Sequence, residues 1–167
     1  MNKTSNGASD GRAAAALEMF EQAHRAQMQG LLDLAVKLYR QSIALSPTAE
    51  AYTFLGWTYH FQGKTHEAIE QCKNAIVIDP AYGNPYNDIG AYLIDLCEWD
   101  EAVSWLERAI ASRRYDAYHY PWYNLGRVYA AQNLFTKARE CFEKSLEIEP
   151  RYTLAADALA GLKRMIQ

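Results

Sequence analysis

The side chains in this sequence that could do chemistry are few, and their spacing assembles no reaction. Histidines stand at positions 24, 60, 66 and 119 (His24, His60, His66, His119). None forms the helical pair with a glutamate between them that a zinc hydrolase needs, and no glycine-rich loop precedes a lysine to cradle phosphate. They read as surface or groove histidines. Cys72, Cys97 and Cys141 form an odd set without a C-x-x-C pair, which fits neither a disulfide framework nor a zinc site. Cys72 and Cys141 fall on apolar-periodic faces and read as core packing. Cys97 lies in an expected turn and is the one thiol worth testing for reactivity. The expectation is a protein that is not an enzyme and holds no metal and no cofactor.

The bulk properties narrow the partners. Half of the 167 residues are apolar, 22% are charged and the net charge is −3, so nothing draws the chain electrostatically toward nucleic acid or anionic lipid. Met1 to Gly11 is polar and lacks the apolar run of a signal peptide; no later stretch approaches the ~20 apolar residues of a membrane helix. A soluble, cytoplasmic protein with reduced thiols is expected, with no nucleic acid and no membrane insertion.

The elements that must position the remaining polar and aromatic residues follow from an internal period. Four segments carry Ala or Gly followed twelve residues later by Ala: Ala23 and Ala35, Gly56 and Ala68, Gly90 and Ala102, Gly126 and Ala138. Twelve residues further on come Pro47, Pro80, Arg114 and Pro150. Spacing inside a unit is constant, whereas successive units step by 33, 34 and 36 residues. Rigid helix pairs would show this pattern, because an insertion inside a helix rotates every later side chain off its face, while one between pairs only lengthens a loop. Tyr52, Leu55, Gly56 and Tyr59 follow one helical stripe and Ala68, Ile69, Cys72, Ala75 and Ile76 follow another. Each unit is therefore two helices and a turn. The recurring Gly would let the paired helices approach closely, and the prolines would end the second helices. Gly30, Gly63 and Asn133 suit left-handed turn positions, which Cys97 does not adopt easily.

These landmarks resemble the W-x2-L-G-x2-Y, A-x3-F and terminal P signature of tetratricopeptide repeats. Trp122, Leu125, Gly126, Tyr129, Ala138, Phe142 and Pro150 match it throughout, and Tyr52, Leu55, Gly56, Tyr59, Ala68, Cys72 and Pro80 match it well. The third unit (Tyr86, Ile89, Gly90, Leu93, Ala102, Leu106) is weaker, and the first keeps mainly Ala35, Tyr39 and Pro47. The resemblance implies an all-α, right-handed superhelical solenoid of four helix-turn-helix repeats at about 16–48, 49–82, 83–118 and 119–152. A capping helix over 153–167 would follow, with Leu154, Leu159, Leu162 and Met165 on its apolar side. Residues 1–12 are expected to be a disordered tail and 13–167 a single domain.

The resemblance also implies where binding occurs, since such repeats expose the inner faces of their first helices along a concave groove. By register that set includes Phe20, His24 and Gln27; Thr53, Trp57 and His60; Asn84, Asn87, Asp88, Ala91 and Ile94; and Tyr120, Tyr123, Asn124 and Arg127. The candidate partner-binding residues are Trp57, His60, Asn84, Asn87, Asp88, Tyr120, Tyr123, Asn124 and Arg127. Asn87 and Asn124 could grip a peptide backbone, and Arg127 would suit an acidic side chain or a chain terminus. The two-carboxylate clamp of chaperone-binding repeats is absent in either register, since the clamp positions hold Thr53, Trp57, Asp88, Tyr120 and Asn124, or Phe20, His24, Phe54, Asn84 and Asp88.

One junction stands apart. Residues 112–123 are two longer than their counterparts, lack the proline and are rich in rings, with Tyr115, Tyr118 and Tyr120 beside Arg113 and Arg114. Those rings either fill the wedge of a longer loop or form a second docking surface. The functional expectation is an interaction scaffold that binds a protein or peptide in its groove. Its alternatives are a scaffold that self-assembles as a homo-oligomer and a non-catalytic accessory subunit of an enzyme complex.

Overall fold

The computed structural model describes residues 4–166, with side chains described from 10 to 164. Among them the chain is all-α. Four helix pairs, α1 (Thr4–Met28) with α2 (Leu32–Leu45), α3 (Ala49–Phe61) with α4 (Thr65–Ile78), α5 (Asn84–Asp95) with α6 (Trp99–Ala111) and α7 (His119–Ala131) with α8 (Phe135–Ile148), are followed by α9 (Thr153–Ile166). The chain divides into two compact units, Met1–Pro80 and Ala81–Gln167. A chain of repeats has no one core running its length, because each pair packs mainly on its neighbours.

The recurring small residues do the work their spacing implies. A Cβ on Gly56 would stand 3.0 Å from the Ala68 carbonyl oxygen and 3.2 Å from Cys72 Sγ, and one on Gly90 would stand 2.6 Å from Leu106 Cδ2. Ala35, Ala68, Ala102 and Ala138 are fully buried on the facing helices. The turns inside the four pairs share one geometry. Gly30, Gly63, Cys97 and Asn133 have φ of 74°, 76°, 61° and 60°, and Leu31, Lys64, Glu98 and Leu134 each donate their amide to a carbonyl five residues back, at 2.8–2.9 Å. Cys97 thus takes the left-handed conformation despite its Cβ, so the third turn keeps the common shape.

Pro47, Pro80 and Pro150 follow cap residues Ser46, Asp79 and Glu149, whose backbones are extended, as a following proline demands. Arg114 stands where the third proline would be because its amide is used. It donates to the Ala81 carbonyl at 3.0 Å, Gly83 donates to the Arg114 carbonyl at 3.0 Å, and the guanidinium lies 4.5 Å from the Tyr82 ring centroid. Proline could not make the first of these bonds.

In the first unit Ser42 Oγ donates to the Ala16 carbonyl at 2.7 Å, and in the second Ser145 Oγ donates to the His119 carbonyl at 2.8 Å. The two bonds join equivalent positions of the first and fourth pairs. Tyr39 donates to Gln27 Oε1 at 2.8 Å in the first core, and burial raises its pKa. In the second unit α9 lays Leu162, Ala158 and Leu159 on Ala138 and Phe142.

The structure departs from the expected pattern at two places and gives a position to one junction residue whose reading was open. Helix α1 starts at Thr4, within the stretch to residue 12 for which a disordered tail is expected. Residues 1–3 lie outside the described residues. Leu154 is 52% exposed, because Ala155 takes the buried position at the start of α9; Met165 lies outside the described side chains. Tyr115 is 6% exposed and packs against Gly83, where a Cβ would meet its ring.

Candidate functional site

The candidate residues fall on two faces, one in each unit. In the first unit the face belongs to α1 and α3. Phe54 is its hub, with ring centroids 5.3 Å from Phe20, 5.3 Å from His24 and 5.4 Å from Trp57. Trp57 packs against Phe54 and is still 41% exposed. His60, one turn on, is half-buried with its ring 6.3 Å from Phe61. Phe54 was not among the expected contacts, although it lies three residues before Trp57 on the same stripe.

In the second unit the face belongs to α5 and α7, and it is polar. Asn124 donates from Nδ2 to Asn87 Oδ1 at 3.1 Å, joining positions 37 residues apart. Asn87 in turn directs Nδ2 at Asp88 Oδ1, 3.4 Å away. Arg127 donates from Nη1 to Asn124 Oδ1 at 3.1 Å, and its Nη2 lies 3.5 Å from Asp95 Oδ1. Asn87, Asp88 and Asn124 are buried, Arg127 is half-buried and Asp95 is exposed. Asn84 is half-buried at the head of α5. The structure therefore brings Asn87, Asp88, Asn124 and Arg127 into one row and adds Asp95 to it. Asp95 continues the stripe of Asp88 two turns along α5, which is the signal that could have found it.

Beside the row stands a cluster of rings. Tyr152 meets Tyr120 and Tyr123 edge to face, at 5.5 Å and 90° and at 5.2 Å and 87°, and meets His119 at 5.0 Å. Tyr120 is 43% exposed. Burial pushes the Tyr152 phenol up to about 12, with Tyr123 and Tyr120 adding to the rise and Arg127 opposing it. Partial burial holds His119 below the ordinary histidine range, with Glu149 acting the other way. Tyr152 follows the last proline, outside every landmark, so no periodicity pointed to it. Two of the junction rings, Tyr115 and Tyr118, turn inward instead: Tyr118 donates to the Ser112 carbonyl at 2.7 Å and packs edge to face on Tyr115 at 5.2 Å. Burial, and then the charge of Asp88, raises the Tyr115 pKa.

Among the described residues no three His, Cys, Asp or Glu side chains could hold a metal ion together, and no helix is long and apolar enough to cross a membrane.

Comparison with known proteins places the fold. Two tetratricopeptide-repeat family profiles match, one over residues 81–151 and one over 49–82. Among solved structures, MamA is 28% identical over 85% of this chain and 82% of its own, with a TM-score of 0.71. PilF of Pseudomonas aeruginosa is 24% identical over 91% of this chain and 69% of its own, with a TM-score of 0.84. YrrB, described as a TPR protein with an unusual peptide-binding site, is 19% identical over 86% of this chain and 74% of its own, with a TM-score of 0.70. With helix pairs closed on their small residues, shared turn geometry and these matches, the chain belongs to the tetratricopeptide-repeat family.

Proposed function

We propose that this chain is a non-catalytic interaction module, working in the cytoplasm, that holds a segment of another protein against the first-helix faces of its units. The observation that carries this reading is the Asn124 to Asn87 hydrogen bond. It fixes two amide side chains from successive first helices side by side, each with further donor and acceptor capacity. Amides already ordered by one another lose little rotamer freedom when a ligand backbone binds, which removes part of the usual cost of association. Tyr120 and, in the first unit, Trp57 supply exposed ring surface of the kind that dominates binding energy at interfaces. The fold is compatible with such a role, since YrrB is described as having a peptide-binding site.

Selection of a binder from a random peptide library, followed by calorimetry, tests the reading. Asn124→Ala should weaken a selected peptide held by the α5–α7 face at least tenfold, about 1.4 kcal/mol, and Trp57→Ala should do the same to one held by the α1–α3 face, with helicity retained by circular dichroism. Lys73→Ala, on the exposed face of α4 where Lys73 pairs with Glu70 at 2.9 Å, should change nothing. Equal losses from Lys73→Ala and Asn124→Ala, or losses from Tyr118→Ala alone, would remove the site from these faces.

A second reading, self-assembly, has one observation in its favour. A cleft of about 240 Å³ in the first unit is lined by Ala13, Ala16, Leu17 and Phe20 of α1 together with Ser42, Ser46, Thr48 and Glu50, and Leu17 is exposed there. Light scattering across concentration without any partner separates the two readings, because only self-assembly predicts growth in mass.

A further inference from the structure

The α5–α7 face holds one guanidinium, and that guanidinium is already engaged. Arg127 spends Nη1 on Asn124 Oδ1 and aims Nη2 at Asp95 Oδ1. A carboxylate ligand approaching Arg127 would have to share its guanidinium with Asp95, a neighbouring carboxylate that offsets part of its charge. Two acidic side chains, Asp88 and Asp95, lie on the same face. The wall beside it is made of rings, which attract a cation over their faces. Partial burial disfavours the charged form of His119 in that wall, with Glu149 acting the other way.

From this geometry we propose that the α5–α7 face takes a basic segment, its Lys or Arg side chains lying over Tyr120 and Tyr123 and toward Asp95. The inference rests on the reading that this face binds a protein segment, and it names the chemistry of that segment. On this account Arg127 is a gate: it occupies Asp95 in the free protein and competes with an incoming cation for it. Removing Arg127 therefore strengthens binding of a basic ligand, whereas the same change weakens binding of an acidic one.

The test uses fluorescence anisotropy at low salt with three rhodamine-labelled octapeptides, blocked at both ends: alternating Lys-Ala, Gln-Ala and Glu-Ala. The full chain is compared with Arg127→Ala, Asp95→Asn and Arg139→Ala, the last removing an equal charge from an exposed position on α8. The Lys-Ala peptide should bind roughly fivefold or more tighter than Gln-Ala; Arg127→Ala should tighten it roughly threefold or more, Asp95→Asn should weaken it, and Arg139→Ala should move it less than about twofold. Preference for Glu-Ala, lost in Arg127→Ala, would overturn the basic-segment inference while leaving the face a binding site. Equal responses to Arg127→Ala and Arg139→Ala would overturn it too, by reducing the effect to net charge. Failure of all three peptides to bind would overturn the binding reading itself together with the inference.

Discussion

Asn124 and Asn87, on α7 and α5, are joined by a 3.1 Å side-chain hydrogen bond and are only 7% and 9% exposed. Removing either amide leaves the other with a buried polar group lacking its partner, which costs about 1–3 kcal/mol. Asn87→Ala and Asn124→Ala should each destabilise the chain by that amount, and the double variant by clearly less than the sum. Urea unfolding of the four proteins measures the coupling; strict additivity would mean that the two amides act independently.

Glycines at different helix positions should respond in opposite directions. A Cβ on Gly126 would run into the Phe142 ring, while one on Gly161 would meet nothing within 4 Å. Gly126→Ala therefore overpacks the α7–α8 contact, at a cost of about 1–3 kcal/mol that outweighs the gain in helix propensity. Gly161→Ala should stabilise by about 0.5–1 kcal/mol. Thermal melts decide the signs, and a stabilising Gly126→Ala would contradict the close approach.

The two leucines of α9 also separate. Leu162 is buried in a cluster with Phe142 and Ala138, whereas Leu154 is exposed. Leu162→Ala should cost about 2–5 kcal/mol, and Leu154→Ala should stay within about 0.5 kcal/mol. Equal effects would show that α9 does not cover the last pair in this way.

Legibility in the sequence followed the range of the physical cause. The helix pairs could be read because the small residues at 56, 90 and 126 must face a partner one turn-length away, so local spacing encodes them. A shared face for Asn87, Asn124 and Arg127 followed from the same register, and the three side chains do meet in one row. Three features were not encoded locally. Arg127 was expected to offer itself to a ligand, but Asp95, 32 residues earlier, engages it. The ring wall depends on Tyr152, which lies beyond the last landmark. Leu154 carried the same apolarity as Leu162, and only the rotation of α9 on α8 distinguishes them.

Alkaline stability should depend on Cys141. Burial pushes this thiol from 9.0 up to about 11, with Glu140 adding to the rise and Lys137 opposing it. Its folded pKa is raised, so its contribution is fully present below pH 9 and is lost as pH climbs to 11, by up to about 2–3 kcal/mol. Urea unfolding at pH 8 and at pH 11 should show a larger fall for the wild type than for Cys141→Ala. Parallel falls would mean that the thiol ionises as readily folded as unfolded.

The α5–α7 face as the binding surface is tested most directly by the side-chain amide resonances of Asn87 and Asn124, followed by nitrogen-15 NMR during titration with a library-selected peptide. These two pairs of signals should shift together and saturably, at the same midpoint as the calorimetric affinity, while the amides of Glu107, Lys137 and Glu140, which line a cleft between α6, α7 and α8, stay still. Saturable shifts at Glu107, Lys137 and Glu140 with unmoved Asn87 and Asn124 signals would contradict the account.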